Sequence, residues 1–395
     1  MRFLGTGLAA VGRMHSLRLI PLLFASLSVL VGTVSFTACS ADAIDPDNDA
    51  ATNNGIDAGA DVAEDLYPCS AIEIEAKKLD VAIDPPRDHH VSFIHETKGT
   101  AYVYVAGGAR DEFSTLYDDV QRAKIQEDGT LAPFEPAGKL PRRMAGMAIA
   151  NVGEHVFLFS GLQNSALNTN VYGTTFDENG MLGSWKEAGL LPKGVMHAAS
   201  VVRGNDVYIF GGVSRTTVSD SVSRYTVGND GVLSERVDLA LLTSPRSHES
   251  AWTFGKHVFL SGGFDKLSSE NPPALTDVSS TTFDSSGGIA SWSSLSPLKN
   301  PNSVHPSTVV GCHAITAGGY PGGNSFSNGI YSLKLGEDGT IVERVDFTAK
   351  LSVARGHMHQ LPRHGKYLYA IAGRISKGLA STGGIDLLTI TNAER

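Results

Sequence analysis

Histidine side chains recur at a similar place in successive segments of this 395-residue sequence. They lie near the start of apolar segments, and five of them are His90, His197, His248, His305 and His357. Basic residues come a few positions earlier, at Arg87, Arg142, Lys193, Arg246 and Arg355. Imidazole and guanidinium groups that converge on one site can hold a carboxylate or a sugar through charge-assisted hydrogen bonds. The sequence therefore predicts a ligand-binding rim, which consists of His90, His197, His248, His305, His357, Arg246 and Arg355.

The same recurrence has a second interpretation, because a residue shared by repeated units often makes the same packing contact in each. His357 and His359 are two residues apart, so both imidazoles would face one side of a strand, a spacing that a metal can use. No third ligand can be assigned to them. No Ser-His-Asp grouping or pair of carboxylates stands out either. The sequence therefore favours a protein without a bound metal, a cofactor or enzymatic activity.

The elements that must position these side chains are β-strands that end in glycine. In the stretch 206–213, β-forming residues lead into the pair Gly211-Gly212. Glycine adopts positive φ and lets another strand approach closely, so the pair predicts a sharp exit from the strand. No helix pattern follows, which argues against a dinucleotide site. Degraded copies of this stretch end at Gly108, Gly161, Gly263, Gly319 and Gly373.

These copies make the chain a repeat array. Successive copies are roughly 50 residues apart, a period typical of propeller blades. Each copy can be divided into four strands, but the sixth ends too early for a fourth strand. The alternating segment Ile72–Ala76 precedes the first copy and has no partner of its own. The sequence therefore predicts an all-β, six-bladed β-propeller over residues 71–395, closed by its amino-terminal strand.

The strand into Gly-Gly, the preceding Pro86-Arg87, Pro141-Arg142 and Pro245-Arg246 pairs, and the Asp-Gly hairpins resemble kelch-type repeats. The resemblance covers roughly residues 71 to 395, and it extends to the central domain of galactose oxidase. It implies four-stranded blades. The resemblance also includes a class of enzymes, the sialate mutarotases. These enzymes use a six-bladed kelch-like propeller with basic residues and a histidine at the channel mouth.

The amino terminus resembles a bacterial lipoprotein signal. Arg13 and Arg18 precede an apolar run that ends in Phe36-Thr37-Ala38-Cys39. This pattern predicts a signal peptide over residues 1–38 and lipidation of Cys39, and Ser40 implies an outer-membrane address. The alternatives are an uncleaved membrane anchor and ordinary signal cleavage nearby. Met14 is a second possible start of the chain.

Residues 39–70 are predicted to be a flexible tether, since they are acidic and poor in apolar side chains. The net charge of the chain is −9, and much of the excess lies in this segment. The remainder is nearly balanced, which argues against a nucleic-acid partner. Cys69 and Cys312 remain after Cys39; they can pair in an oxidising compartment or stay separate thiols.

The leading functional prediction is a lipid-anchored, non-enzymatic binding or protein-interaction module in the bacterial cell envelope, as an outer-membrane lipoprotein. Its expected partner is a protein or a carbohydrate, and the expected state is a monomer. The alternatives are a sugar isomerase of the sialate-mutarotase kind and an envelope structural component. The longest loop after a glycine pair, Asp265 to Thr276, is predicted to take part in recognition, because long loops on a rigid scaffold often carry binding sites.

Overall fold

Buried β-strands account for the repeated apolar runs of the sequence. In the strand Asp206–Phe210, Val207 and Ile209 belong to one apolar cluster, while Tyr208 and Phe210 belong to the next. Since successive side chains of a strand point to opposite faces, this strand is covered on both sides. That is why the run is almost continuously apolar rather than alternating.

The computed structural model describes residues 69–392 apart from 165, 271, 324 and 376–379. The predicted signal peptide, the lipidation site Cys39 and the tether up to residue 68 lie outside the described residues. Within the described part, no helix has the length and apolar character needed to span a bilayer. One short 3-10 turn, Ser268–Glu270, interrupts the strands.

The described residues contain six four-stranded antiparallel sheets, which we call blades 1 to 6, with strands given from first to fourth. Blade 1 consists of Val91–Thr97, Thr100–Ala106, Asp119–Lys124 and Glu135–Lys139. Blade 2 consists of Ala148–Val152, His155–Phe159, Asn170–Thr175 and Lys186–Leu190. Blade 3 consists of Ala199–Arg203, Asp206–Phe210, Val222–Thr226 and Val237–Asp238.

The second half of the chain repeats this order. Blade 4 consists of Ser250–Phe254, His257–Ser261, Val278–Thr282 and Ser293–Ser294. Blade 5 consists of Ser307–Val310, His313–Ala317, Gly329–Leu335 and Ile341–Lys350. Blade 6 consists of Arg363–His364, Tyr367–Arg374, Ser381–Asn392 and Ile72–Ala82. Two smaller sheets pair Ala109–Arg110 with Thr115–Leu116, and Leu162–Gln163 with Met144–Ala145 and Ala166–Leu167.

Apolar clusters fill the seams between consecutive blades. Six such clusters occur among the described residues, and each draws its side chains from two neighbouring blades. One of them joins Ile371 and Leu387 of blade 6 to Val103 and Val105 of blade 1. Blade 6 therefore packs against blade 1 as well as against blade 5. All-β sheets packed in this cyclic order have the predicted fold class, a β-propeller.

Blade 6 combines the two ends of the described chain. Ile72 pairs with Asn392 and Ile74 with Ile390, in an antiparallel register that runs on to Lys78. This is the pairing predicted for the segment Ile72–Ala76, although the strand extends further, to Ala82. Cys69 forms a disulfide with Cys312 of blade 5, so of the two alternatives for these cysteines the structure has the paired one.

The second glycine of each repeat links its blade to the next. Its N–H donates a 2.7–2.9 Å hydrogen bond to a carbonyl in the connection that leads into the following blade. In blade 3 this bond runs from Gly212 to Arg246, and in blade 6 it runs from Gly373 to Arg87. The preceding Gly211 has φ of 59°, and a Cβ there would run into the carbonyl oxygen of Arg246. The glycine pairs therefore bring the residues that precede each first strand to fixed positions.

Candidate functional site

Six residues, one from each connection into a blade, form a closed circle of backbone hydrogen bonds. The N–H of each donates to the carbonyl of the residue before it in the circle at 2.8–3.0 Å. These residues, which we call the backbone circle, are His89, Gly146, His197, His248, Val304 and His357. All six have positive φ, between 49° and 67°. The circle lies where the connections meet the first strands, at one end of the central channel.

Five imidazoles gather at this end. His197 stacks on His248 with ring centroids 3.7 Å apart, and His89 lies 4.1 Å from His357. His359 completes the group, at 5.1 Å from His197. We call these five residues the histidine cluster. The strand assumed for residues 357–359 does not form; His357 and His359 both have positive φ, and this left-handed backbone turns both rings into the cluster.

Burial keeps the cluster neutral. It lowers the pKa of His248 to about 3 and that of His359 to about 4. It also lowers the pKa of His89, His197 and His357 well below the usual value, with a further contribution from neighbouring imidazoles. The cluster is therefore a set of uncharged nitrogen donors and acceptors at neutral pH, not the cationic ring that would attract an anion.

The structure places His90 and His305 one residue beyond the backbone circle. Burial lowers the pKa of His90 to about 3 and that of His305 to about 4. The His305 ring makes a 3.1 Å hydrogen bond with the Ser261 hydroxyl. Of the predicted rim histidines, His197, His248 and His357 lie in the backbone circle. In blades 1 and 5 the circle contains His89 and Val304 instead of His90 and His305.

The arginines of the predicted rim form ion pairs within their own blades. Arg355 donates to Asp386 at 2.7 Å, and both side chains are 1% exposed. Arg246 lies 3.4 Å from Asp277, whose side chain is 58% exposed. Arg87 makes the corresponding bidentate pair with Asp119 at 2.8 and 2.9 Å. Arg142 and Lys193 are exposed.

Replacing Arg355 with Met is expected to cost about 3–5 kcal/mol of unfolding free energy, because the Asp386 carboxylate would stay buried without its partner. The matched variant Arg246→Met should cost about 1 kcal/mol or less, since Asp277 remains hydrated. Urea unfolding of both variants measures the difference. Equal losses would show that the burial of the carboxylate does not decide the effect.

Comparison with known proteins identifies the type of fold. No protein-family model matches the chain. The chain is 22% identical over 167 residues to Kelch repeat and BTB domain-containing protein 1 of Ectromelia virus (strain Moscow), which covers 42% of this chain and 28% of the relative. A protein of the same name from Vaccinia virus (strain Copenhagen) is 22% identical over 163 residues, covering 41% of this chain and 27% of the relative. The chain thus spans just over a quarter of the length of these curated relatives.

The solved structure of YjhT superposes with a TM-score of 0.60 at 13% identity, over 80% of this chain and 99% of that one. The chain is a kelch-type β-propeller. At this identity the likeness concerns the fold alone, so the site must be argued from the residues of this propeller.

Aromatic side chains from the loops of the propeller surround the histidine cluster. Phe113 lies 4.5 Å from His89, Phe264 lies 5.3 Å from His248, and Phe326 lies 6.0 Å from His357. All three are partly exposed. Each comes from a loop that follows a second strand, so these loops share the face of the propeller that carries the backbone circle. We call it the histidine face.

The central channel of the propeller holds a cavity of about 380 Å³. Polar side chains from every blade or its leading connection line it, among them Ser92, Asn151, His197, Glu249, Thr308 and His359. Glu249 is buried, and among the described residues neither of its carboxylate oxygens has a hydrogen-bond partner. Burial raises the pKa of this carboxyl to about 8. At neutral pH it is therefore largely protonated and can donate a hydrogen bond.

Sequence reasoning missed several members of this site, among them His89, Gly146, Val304 and Glu249. One signal for the first was present. The circle histidine follows the buried arginine by two positions in Arg87 to His89, as it does in blades 4 and 6. No comparable signal marks Glu249, because its importance comes from burial in the channel.

Proposed function

We propose that this kelch-type propeller is a non-enzymatic interaction module that binds a partner protein through its histidine face. The observation that carries the proposal is the closed mouth of the channel. The backbone circle and the five imidazoles occupy the axis at this end, so the face offers a surface rather than a deep entrance. A surface of this kind suits a macromolecule better than a small ligand.

The state of the basic residues supports the same proposal. Arg87, Arg246 and Arg355 are buried in ion pairs, so they are not free to clamp an anionic sugar. What the face does offer is partly exposed aromatic side chains on loops, at Phe113, Phe264 and Phe326. Aromatic residues are enriched at the centres of protein interfaces. The loop Asp265 to Thr276 begins beside Phe264 and presents the exposed Glu270.

Site-specific crosslinking tests this proposal. A photoreactive benzoylphenylalanine at position 264 should give a discrete protein adduct in cells that express the full chain. The matched control position is Lys256, an exposed residue of the turn at the other end of the same second strand, and it should give none. Equal adducts from both positions, or none from position 264, would contradict the use of this face.

A lipid anchor at Cys39 is the second part of the proposal, and it places the propeller in a bacterial envelope, at the outer membrane. Its support is the sequence Phe36-Thr37-Ala38-Cys39 after an apolar run. The variant Cys39→Ala is expected to leave the membrane fraction or to remain unprocessed. Mass spectrometry of the wild-type chain should find a lipidated Cys39, and an unmodified mature terminus at another residue would exclude the anchor.

A carbohydrate ligand is the second candidate, because polar side chains line part of the channel cavity, among them the unpartnered Glu249. The enzymatic activity that corresponds to this candidate is the mutarotation of an acidic sugar. NMR of N-acetylneuraminate anomers, with and without the protein, should show the same exchange rate in both samples. An acceleration that Glu249→Gln removes would replace the non-enzymatic proposal with this one.

A further inference from the structure

We propose that His89, His357 and His359 bind a divalent first-row transition-metal ion, with Zn²⁺ as the representative ion. Each residue offers one ring nitrogen, and these three atoms lie within 4.8 Å of one another. The proposal is independent of whether the histidine face binds a protein. It assigns a task to side chains that neither the fold nor a surface interaction requires.

Asp88 fixes the first ligand. One of its carboxylate oxygens is in hydrogen-bond contact with Nδ1 of His89. The other accepts from Arg374 at 3.1 Å and from the Ser381 hydroxyl at 2.7 Å. With Nδ1 engaged, Nε2 of His89 is the atom left for a metal. A carboxylate behind an imidazole is the usual second partner of a metal-bound histidine, because it fixes the ring orientation and makes the ligand more basic.

The other two ligands have nitrogens that nothing else uses. Nδ1 of His357 and Nε2 of His359 are shielded from solvent, and neither has a hydrogen-bond partner among the described residues. Leaving a buried polar atom unpaired costs about 1–3 kcal/mol. A metal ion held between these two nitrogens and His89 would give both of them a partner.

The backbone gives a second reason to assign a task to these side chains. His89 and His357 have φ of 56°, and His359 has φ of 59°. A residue with a Cβ in this region costs roughly 1–2 kcal/mol relative to glycine. Gly146 fills the same position of the circle in blade 2 and makes the same backbone bonds. The circle itself therefore does not need histidine, whereas a metal site does.

The donor set selects the class of ion. Imidazole nitrogens suit zinc, copper, nickel and iron, whereas calcium and magnesium prefer oxygen ligands. Three histidines leave a fourth tetrahedral position, as in sites where zinc binds water. Zn–N bonds are about 2.0–2.1 Å long, so small ring rotations bring the nitrogens together. His197 is the closest further imidazole, with its ring 4.9 Å from that of His89.

Zinc titration of the untagged full chain tests the site. After treatment with a chelator, the wild-type protein should take up one Zn²⁺ per chain in equilibrium dialysis. Its melting temperature should rise with Zn²⁺, because an ion that binds only the folded state stabilises it. The variants His89→Gly and His357→Gly remove a ligand but keep a residue suited to positive φ, and His359→Gln removes the third ligand at similar size. Each should weaken the binding of Zn²⁺ at least tenfold and reduce the thermal shift.

Two matched variants serve as controls. His248→Gly changes a circle histidine outside the three ligands, and His155→Ala removes a partly exposed histidine of blade 2. Both should bind Zn²⁺ within about twofold of the wild type, a difference of less than 0.5 kcal/mol. The proposal is overturned if the wild type takes up no Zn²⁺, if His357→Gly and His359→Gln bind it unchanged, or if His248→Gly loses as much affinity as His357→Gly.

Discussion

Lowering the pH from 7 to 5 in the presence of a chelator is expected to destabilise the propeller strongly. Burial lowers the pKa of seven histidines: His89, His90, His197 and His305, which are buried, and His248, His357 and His359, which are partly exposed. In the unfolded chain the same rings titrate near pH 6.5. Below that pH the unfolded chain binds protons that the folded chain excludes, so stability rises with pH up to about 6.5 and is lost as the pH falls.

The size of this effect follows from the number of rings. Each contributes up to about 1.4 kcal/mol per pH unit below 6.5 until its own folded pKa is reached. At pH 5 the summed upper bound is comparable to the whole stability of an ordinary domain, about 5–15 kcal/mol. One group opposes the trend. The raised pKa of Glu249, about 8, makes stability fall as pH rises between about 4.5 and 8.

Thermal unfolding at pH 8, 7, 6 and 5 measures the net slope, which the histidines should dominate. The variant Glu249→Gln removes the opposing group and should steepen the loss between pH 7 and 5. The variant Val232→Thr changes an exposed side chain that does not titrate and should leave the profile as it is. A melting temperature that stays level from pH 7 to pH 5 would contradict the assignment of neutral, buried imidazoles.

Deleting residues 70–79 is expected to abolish cooperative unfolding of the propeller. The deletion removes Ile72, Ile74 and Leu79, which are 5%, 7% and 5% exposed. Burying such a side chain stabilises by about 1.5–3 kcal/mol, and the backbone bonds to Ser381–Asn392 are lost as well. The third strand of blade 6 would then present an open edge, which invites association with other chains.

Deleting residues 40–65 is the matched control. It removes a longer but apolar-poor stretch of the predicted tether and should leave the melting transition unchanged. Far-ultraviolet circular dichroism during a thermal ramp, with light scattering to detect association, follows both truncations. Similar melting of the two would mean that Ile72–Ala82 contributes little to blade 6.

Much of the fold could be predicted because local sequence patterns determine its strands and turns. A strand buried on both faces needs a continuous apolar run, as in Val207 to Phe210, and the exit from it needs a residue with positive φ. Those demands recur with the blades, so the copies and the pairing partner of the first strand follow from the sequence. The strand ends do not follow from these patterns, since Ile72–Ala82 extends beyond its alternating part.

The site was harder to predict, because its geometry depends on contacts between distant residues. The spacing of two residues from Arg87 favours His89 over His90, but only the hydrogen bond from the His89 N–H to the carbonyl of His357 shows that His89 belongs to the backbone circle. Likewise, Arg355 looks like a free cation until Asp386, 31 positions later, is found beside it. Sequence patterns report the repeat, whereas the charge state of each side chain depends on what the fold places next to it.

The pairing of Ile72 with Asn392 also bears on how the protein reaches its native state. Most strand partners in the blades are hairpin neighbours and can form early, but this pair and the bond from Gly373 to Arg87 join opposite ends of the folded region. A topology with such high contact order folds slowly. A nascent chain that stops before blade 6 leaves the strand Ile72–Ala82 without its partner and uncovers the apolar faces of blades 1 and 5, so it is prone to aggregate. The entropic cost of closing a loop grows only with the logarithm of its length. Joining the two ends of the folded region therefore slows folding far more than it lowers the stability of the folded propeller.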